Sequence, residues 1–297
     1  MKLARFRRDG ATRLGVLQNG SVFDVSAAGP GLSDDMRSLL ASGPAMLQQL
    51  KNAAMATDPI PLASVQLEAP ITNPQKFLAI GMNYQDHAEE ARRAGLRVPE
   101  TQLWFNKQVS CITGPYDPVQ IPTAAPDQVD YEGELGVIIG RRCRHVARGD
   151  AAQVIAGYCV LNDVSVRDWQ GRSPTFTLGK SWDTHGPLGP WIVTADEIAD
   201  PHNLTLRTLV NGELRQQAST SLLIFDVWEQ IEYLSTVMTL EPGDVLATGT
   251  CAGVGIAMNP PRFLQPGDVV RVEIDGVGAI ENAFVSESAE PVRADMT

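Results

Sequence analysis

Short alternating runs open the chain. Leu3–Arg7 and Thr12–Gln18 predict two strands, and Asn19-Gly20 supplies a turn before Ser21–Val25. From Asp34 to Ala56 the apolar positions, Met36, Leu39, Leu40, Leu47 and Leu50 among them, take helical spacing. Gly43-Pro44 is expected to split that helix in two. Asp58-Pro59 and Pro61 read as a linker, so residues 1–70 are expected to form a small N-terminal α/β unit and residues 71–297 a larger domain. Lys76–Ile80 predicts a strand, and Tyr84–Ala94 a helix stopped by Gly95. Val129–Ile139 and Ala156–Leu161 predict buried strands. Leu222–Leu240 predicts a longer helix, with Ile224, Val227, Trp228, Ile231 and Leu234 on one side. Pro242-Gly243-Asp244 and Pro266-Gly267-Asp268 mark turns that feed further strands. The pattern predicts an α+β, β-dominated fold.

Composition narrows the partners. The net charge is −11, which repels phosphate backbones and anionic lipid, so neither nucleic acid nor a membrane is expected as a partner. Cys111, Cys143, Cys159 and Cys251 form no C-x-x-C pair and are expected to be reduced and mostly buried. The basic start MKLARFRRDG is not followed by an apolar stretch, and the cytoplasm is the expected location.

Candidate chemistry begins at Tyr131-Glu132-Gly133-Glu134. Side chains two apart on a strand share a face, so Glu132 and Glu134 are expected to point one way, with Gly133 leaving the other side open. Two such carboxylates near a core repel each other and lose hydration, a conflict that a hard divalent cation removes. Taken alone, Glu-x-Glu far more often marks two solvated glutamates on a half-exposed strand, and Asp163 is what raises the odds of a metal site. Asp163, at the end of the apolar run Gly157–Asn162, fits a third ligand or a turn residue.

His87 and Glu90, three apart on the expected helix, share a face. A carboxylate beside an imidazole orients it and suits it to act as a general base; a surface His–Glu pair is the bland alternative. Arg167 can grip a carboxylate through two parallel hydrogen bonds or pair with Asp168. Lys180, flanked by apolar and small residues, either projects into a cleft, where it would stabilise an enolate, or snorkels. Thr248-Gly249-Thr250 could offer donors to an anion, and His185 is given no chemical role.

In order, AIGMNYQDHAEE, DYEGELGVIIG, LNDVSVRDWQ, LGKSWDTHGPLGP and PGDVLATGT…GVG resemble the fumarylacetoacetate hydrolase family. The resemblance runs from about Phe77 to Phe284, and the leading unit resembles the small N-terminal domain of longer bacterial members. It implies a mixed β-roll, usually a homodimer. It implies that Glu132, Glu134 and Asp163 bind Mg²⁺ or Mn²⁺, that His87 and Glu90 activate water with Lys180 as a further catalytic residue, and that Arg167, Gln170 and Thr250 line the substrate pocket. Cys251 stands where the family often has proline, and the stretch from Trp104 to Ser110 matches its phenylalanine–lysine–proline segment only loosely. The expected activity is hydrolytic C–C cleavage of a small 2-oxo acid, such as an acylpyruvate, or of a β-diketone. Isomerisation of an unsaturated 2-hydroxy-diacid and 2-oxo-acid decarboxylation are rivals. A catalytically silent protein that binds small acids is the rival from another class.

Overall fold

The computed structural model describes residues 1–25, 35–54, 56–93, 95 and 97–288. Strands dominate, helices are few, and the sheets are mixed. The larger sheet runs Pro59–Pro61, Ser21–Asp24, Ala11–Gln18, Lys2–Arg8, Gly186–Thr194, Ile155–Asn162, Gly133–Ile139, Val245–Thr250, Phe77–Gly81 and Leu103–Asn106. Strand Lys2–Arg8 pairs with Gly186–Thr194, so the leading strands extend the sheet that carries the rest of the chain. A five-stranded sheet, Glu213–Ser219, Thr205–Val210, Val269–Ile274, Gly278–Ser286 and Val119–Ile121, packs against it. Val137, Val160, Leu206 and Val272 are among the buried apolar residues of the core these sheets share.

Several local expectations match. The first helix divides into Met36–Ala41 and Gly43–Ala54, where Gly43 takes a φ of 80°. Asp34 and Met55, at the ends of the expected span, lie outside the described residues. The second expected helix forms over Gln85–Arg93; Ala94 also lies outside the described residues. Both Pro-Gly-Asp turns close in the same way. Asp244 Oδ2 accepts the Glu241 N–H, Asp268 Oδ2 accepts the Gln265 N–H, and each glycine has a positive φ.

Other elements differ. The expected linker contains Pro59–Pro61, a short edge strand on Ser21–Asp24, an edge being where proline's missing donor does least harm. The long helix is only Val227–Val237, because Asp226 and Glu229 form a capping box that starts it there. The expected strand Val129–Ile139 breaks at Tyr131-Glu132 into Val129–Asp130 and Gly133–Ile139. At the break the Glu132 N–H turns to the Asn162 side chain at 3.0 Å. Gly133 does not face open space. A Cβ there would lie 2.2 Å from Thr208 Oγ1, so glycine lets the two sheets approach.

Candidate active site

Antiparallel pairing builds the carboxylate cluster. Gly133 pairs with Asn162 and Glu134 with Leu161, which sets the start of one strand beside the end of the other. The Asp163 N–H then reaches Glu132 O at 2.8 Å. Ligand oxygens of Glu132, Glu134 and Asp163 lie within 4.8 Å of one another, and all three residues are buried. A third strand adds Gly249, whose N–H donates to Glu134 Oε2 at 2.7 Å. Of the donors in Thr248–Thr250, the Gly249 N–H meets the Glu134 carboxyl, while the Thr248 and Thr250 hydroxyls donate to the carbonyls of Leu135 and Gly133.

Three buried cations surround the cluster. Lys180 Nζ lies 2.6 Å from Glu132 Oε2 and 2.7 Å from Asp163 Oδ2. Lys107 Nζ is 2.6 Å from Asp163 Oδ1, and it also donates to the carbonyls of Lys180 and His185. Arg167 Nη1 is 2.6 Å from Glu132 Oε1. The remaining Arg167 nitrogens reach Asp130 Oδ2, Nε at 2.9 Å and Nη2 at 2.8 Å. The carboxylates gripped by Arg167 are therefore Asp130 and Glu132, not Asp168.

These contacts divide the carboxylates. Burial pushes the Glu132 pKa up, but Lys180 and Arg167 outweigh it and hold the group down at about 2. Glu134 is raised well above the ordinary range by burial, then by Asp163 and Glu132. A buried carboxylate held up in this way is the member of an all-oxygen set that gains most from a divalent cation. The three residues present fit such an ion.

His87 Nδ1 and Glu90 Oε2 are 2.8 Å apart, with both side chains about one-fifth exposed. Asn83 fixes the start of their helix. Its buried side chain donates to the carbonyls of Phe225 and Thr248 and accepts the Phe225 N–H. A cavity of about 440 Å³ brings together His87, Glu90, Glu132, Arg167, Gln170, Lys180 and Thr250. Ile80, Leu103, Phe105, Phe176 and Val254 supply apolar wall. Glu134 and Asp163 are not on that wall; they reach the site through the cluster beneath Glu132 and Lys180.

Two of the pocket residues are already engaged. Gln170 Oε1 accepts from Arg167 Nη1 at 2.9 Å, and the Thr250 hydroxyl donates to Gly133 O and accepts from Gln216. Gly179 lets the helical turn that carries Lys180 pack against the backbone of Gln170, since a Cβ there would lie 2.3 Å from the Gln170 backbone nitrogen.

Sequence reasoning missed Asp130 and Lys107. Lys107 stands between Asn106 and Gln108, so it lacked the apolar and small flanks that singled out Lys180. Asp130 carried no local signal. Its carboxylate is fully buried and also accepts the N–H groups of Gly255 and Ile256.

The family model described as fumarylacetoacetate (FAA) hydrolase C-terminal matches residues 76–285. The chain belongs to the fumarylacetoacetate hydrolase family. An oxaloacetate tautomerase of Xenopus laevis, fahd2, named as mitochondrial, is 43% identical over 96% of this chain and 90% of its own length. Among solved structures, a fumarylacetoacetate hydrolase from psychrophilic Exiguobacterium antarcticum is 39% identical with a TM-score of 0.85, covering 97% of this chain and 100% of its own. A maleylpyruvate hydrolase from Sphingobium, solved with manganese(II) and pyruvate, is 37% identical with a TM-score of 0.81 over the same shares. The members of this family are enzymes, with hydrolases, isomerases and tautomerases among those similar to this chain. No helix among the described residues is long and apolar enough to cross a membrane.

Proposed function

We propose that this chain is a divalent-metal hydrolase that cleaves a C–C bond in an acylpyruvate or a β-diketone-type 2-oxo acid. The observation that carries this reading is the cavity shared by His87, Glu90, Glu132 and Lys180. Glu132, Glu134 and Asp163 would hold Mg²⁺ or Mn²⁺. The manganese and pyruvate bound by the Sphingobium relative support both the metal and the 2-oxo-acid head group. When bound, the metal supplies Lewis-acid polarisation of the 2-oxo acid.

The chain's own groups supply the rest. His87, oriented by Glu90, takes a proton from water. The hydroxide adds to the distal acyl carbon. The C–C bond then breaks, with its electron pair passing to the pyruvate half as an enolate. Lys180 stands at the carboxylate floor, where it can stabilise that enolate until the proton His87 took from water is delivered to carbon and completes pyruvate. The apolar wall, including Phe105 and Phe176, limits water around the reacting atoms.

A second reading, oxaloacetate tautomerisation, is favoured by the 43% identity to the Xenopus enzyme. His87 would then carry a proton between the enol oxygen and the adjacent carbon, with no water consumed. Turnover of an acylpyruvate in ¹⁸O-water tests the proposal. Label in the carboxylic acid product supports hydrolysis. Loss of the oxaloacetate enol absorbance without acylpyruvate cleavage would replace the first reading with the second.

A further inference from the structure

The His87–Glu90 pair does not end at Glu90. Glu90 Oε2 meets His87 Nδ1, while its other oxygen, Oε1, accepts the Gly253 N–H at 3.2 Å. Gly253 in turn accepts the Tyr131 hydroxyl at its carbonyl, at 2.9 Å. Three segments far apart in sequence thus form one line that ends on the imidazole. We propose that Tyr131 is a positioning residue for the His87–Glu90 pair, acting through Gly253; this rests on the reading of that pair as the proton-transfer group.

The geometry leaves Gly253 little freedom. Its φ is 101°, and a Cβ on it would lie 2.1 Å from Arg215 O. The loop is therefore pressed onto the strand Glu213–Ser219, a fit that only glycine allows. On its other side Asp130 accepts the N–H groups of Gly255 and Ile256. Adjacent residues 130 and 131 thus hold the loop at three points, and the loop aims the Gly253 N–H at Glu90. Tyr131 is buried, and its hydroxyl donates to the Gly253 carbonyl. Glu90, partly exposed on a surface helix, would otherwise choose among several rotamers. The Gly253 N–H selects the rotamer whose second oxygen reaches His87.

Tyr131→Phe keeps the ring and its packing and removes only the hydroxyl. On a substrate whose turnover depends on His87, kcat should fall roughly 3- to 10-fold, the value of one net hydrogen bond. KM and the affinity of the carboxylate cluster for Mn²⁺ should not change. In a Glu90→Ala background the same substitution should add no further loss, because the line is already cut. An unchanged kcat, a loss that persists without Glu90, or a parallel fall in Mn²⁺ affinity would overturn the proposal. If the protein has no His87-dependent turnover, the functional reading fails, and NMR then decides this inference. The ¹⁵N resonances of the His87 ring, assigned by their absence from His87→Ala, must shift in Tyr131→Phe; unshifted resonances would overturn it.

Discussion

Lys180 Nζ stands 2.7 Å from Asp163 Oδ2 and bridges it to Glu132. The ammonium neutralises part of the buried cluster, while Glu134 lies without a cation in direct contact among the described residues. A divalent ion would give Glu134 that contact. Glu132→Gln or Glu134→Gln should therefore abolish activity with the fold intact by circular dichroism, because each loses an anionic ligand at nearly constant volume. Treatment with EDTA should do the same, reversed by Mg²⁺ or Mn²⁺. Full turnover in metal-free buffer would sink the assignment.

Arg167 is expected to act mainly through Asp130 and Glu132, since both carboxylates are buried against it. Arg167→Ala leaves buried Asp130 without its cation and Glu132 with Lys180 alone, and should cost about 3–5 kcal/mol of stability. Activity should fall on substrates with and without a terminal carboxylate alike. A rise in KM confined to the carboxylate-bearing substrate, with stability unchanged, would instead assign the guanidinium to the substrate.

The same residue shows where the sequence stops being informative. Periodicity exposed the strand after Gly133, the helix that carries His87 and the turns at Asp244 and Asp268, because each depends on neighbours in the chain. The Glu-x-Glu spacing and the acid after Asn162 were legible for the same reason. Arg167 offered Asp168 as a local partner, yet its partners lie 37 and 35 positions away. Lys107 meets Asp163 only because a strand end and a turn converge. The break at Glu132 depends on the side chain of Asn162, 30 positions on. Nothing in a single strand's alternation encodes such meetings. Pairing register creates them.

His185 received no chemical role from the sequence, and its burial gives it a pH signature. Burial lowers its pKa to about 3, so the folded protein keeps it neutral. Its Nε2 lies 2.8 Å from Gln120 O. In the unfolded chain an ordinary histidine takes up a proton below about pH 6.5. Between that pH and about 3 the unfolded state binds more protons, so this residue's contribution to stability falls as pH falls through that window. The limiting slope is about 1.4 kcal/mol per pH unit. Denaturant titrations between pH 7 and about 4 should show this slope. His185→Gln should flatten it, and an unchanged slope would place the acid sensitivity elsewhere.

The pair 2.8 Å apart at His87 and Glu90 separates the rival reactions. If water is the nucleophile, a base must take its proton, and His87 is the imidazole on the cavity wall. His87→Ala should then suppress acylpyruvate hydrolysis by roughly 10²- to 10⁴-fold, the usual contribution of general-base catalysis. Glu90→Ala should give a smaller loss in the same direction, since it removes orientation but leaves the base. Oxaloacetate decarboxylation needs no activated water and should be much less affected. Oxaloacetate tautomerisation provides the contrast, because a histidine that carries the enol proton would be needed there too. Both variants are to be assayed on an acylpyruvate and on oxaloacetate at saturating Mn²⁺, with enol and CO₂ followed separately. Loss of hydrolysis alone supports the water-activating dyad. Equal losses of hydrolysis and tautomerisation would make His87 a general proton carrier for the enol. If decarboxylation falls in parallel as well, His87 supports the site as a whole, and its assignment as a base would have to be withdrawn.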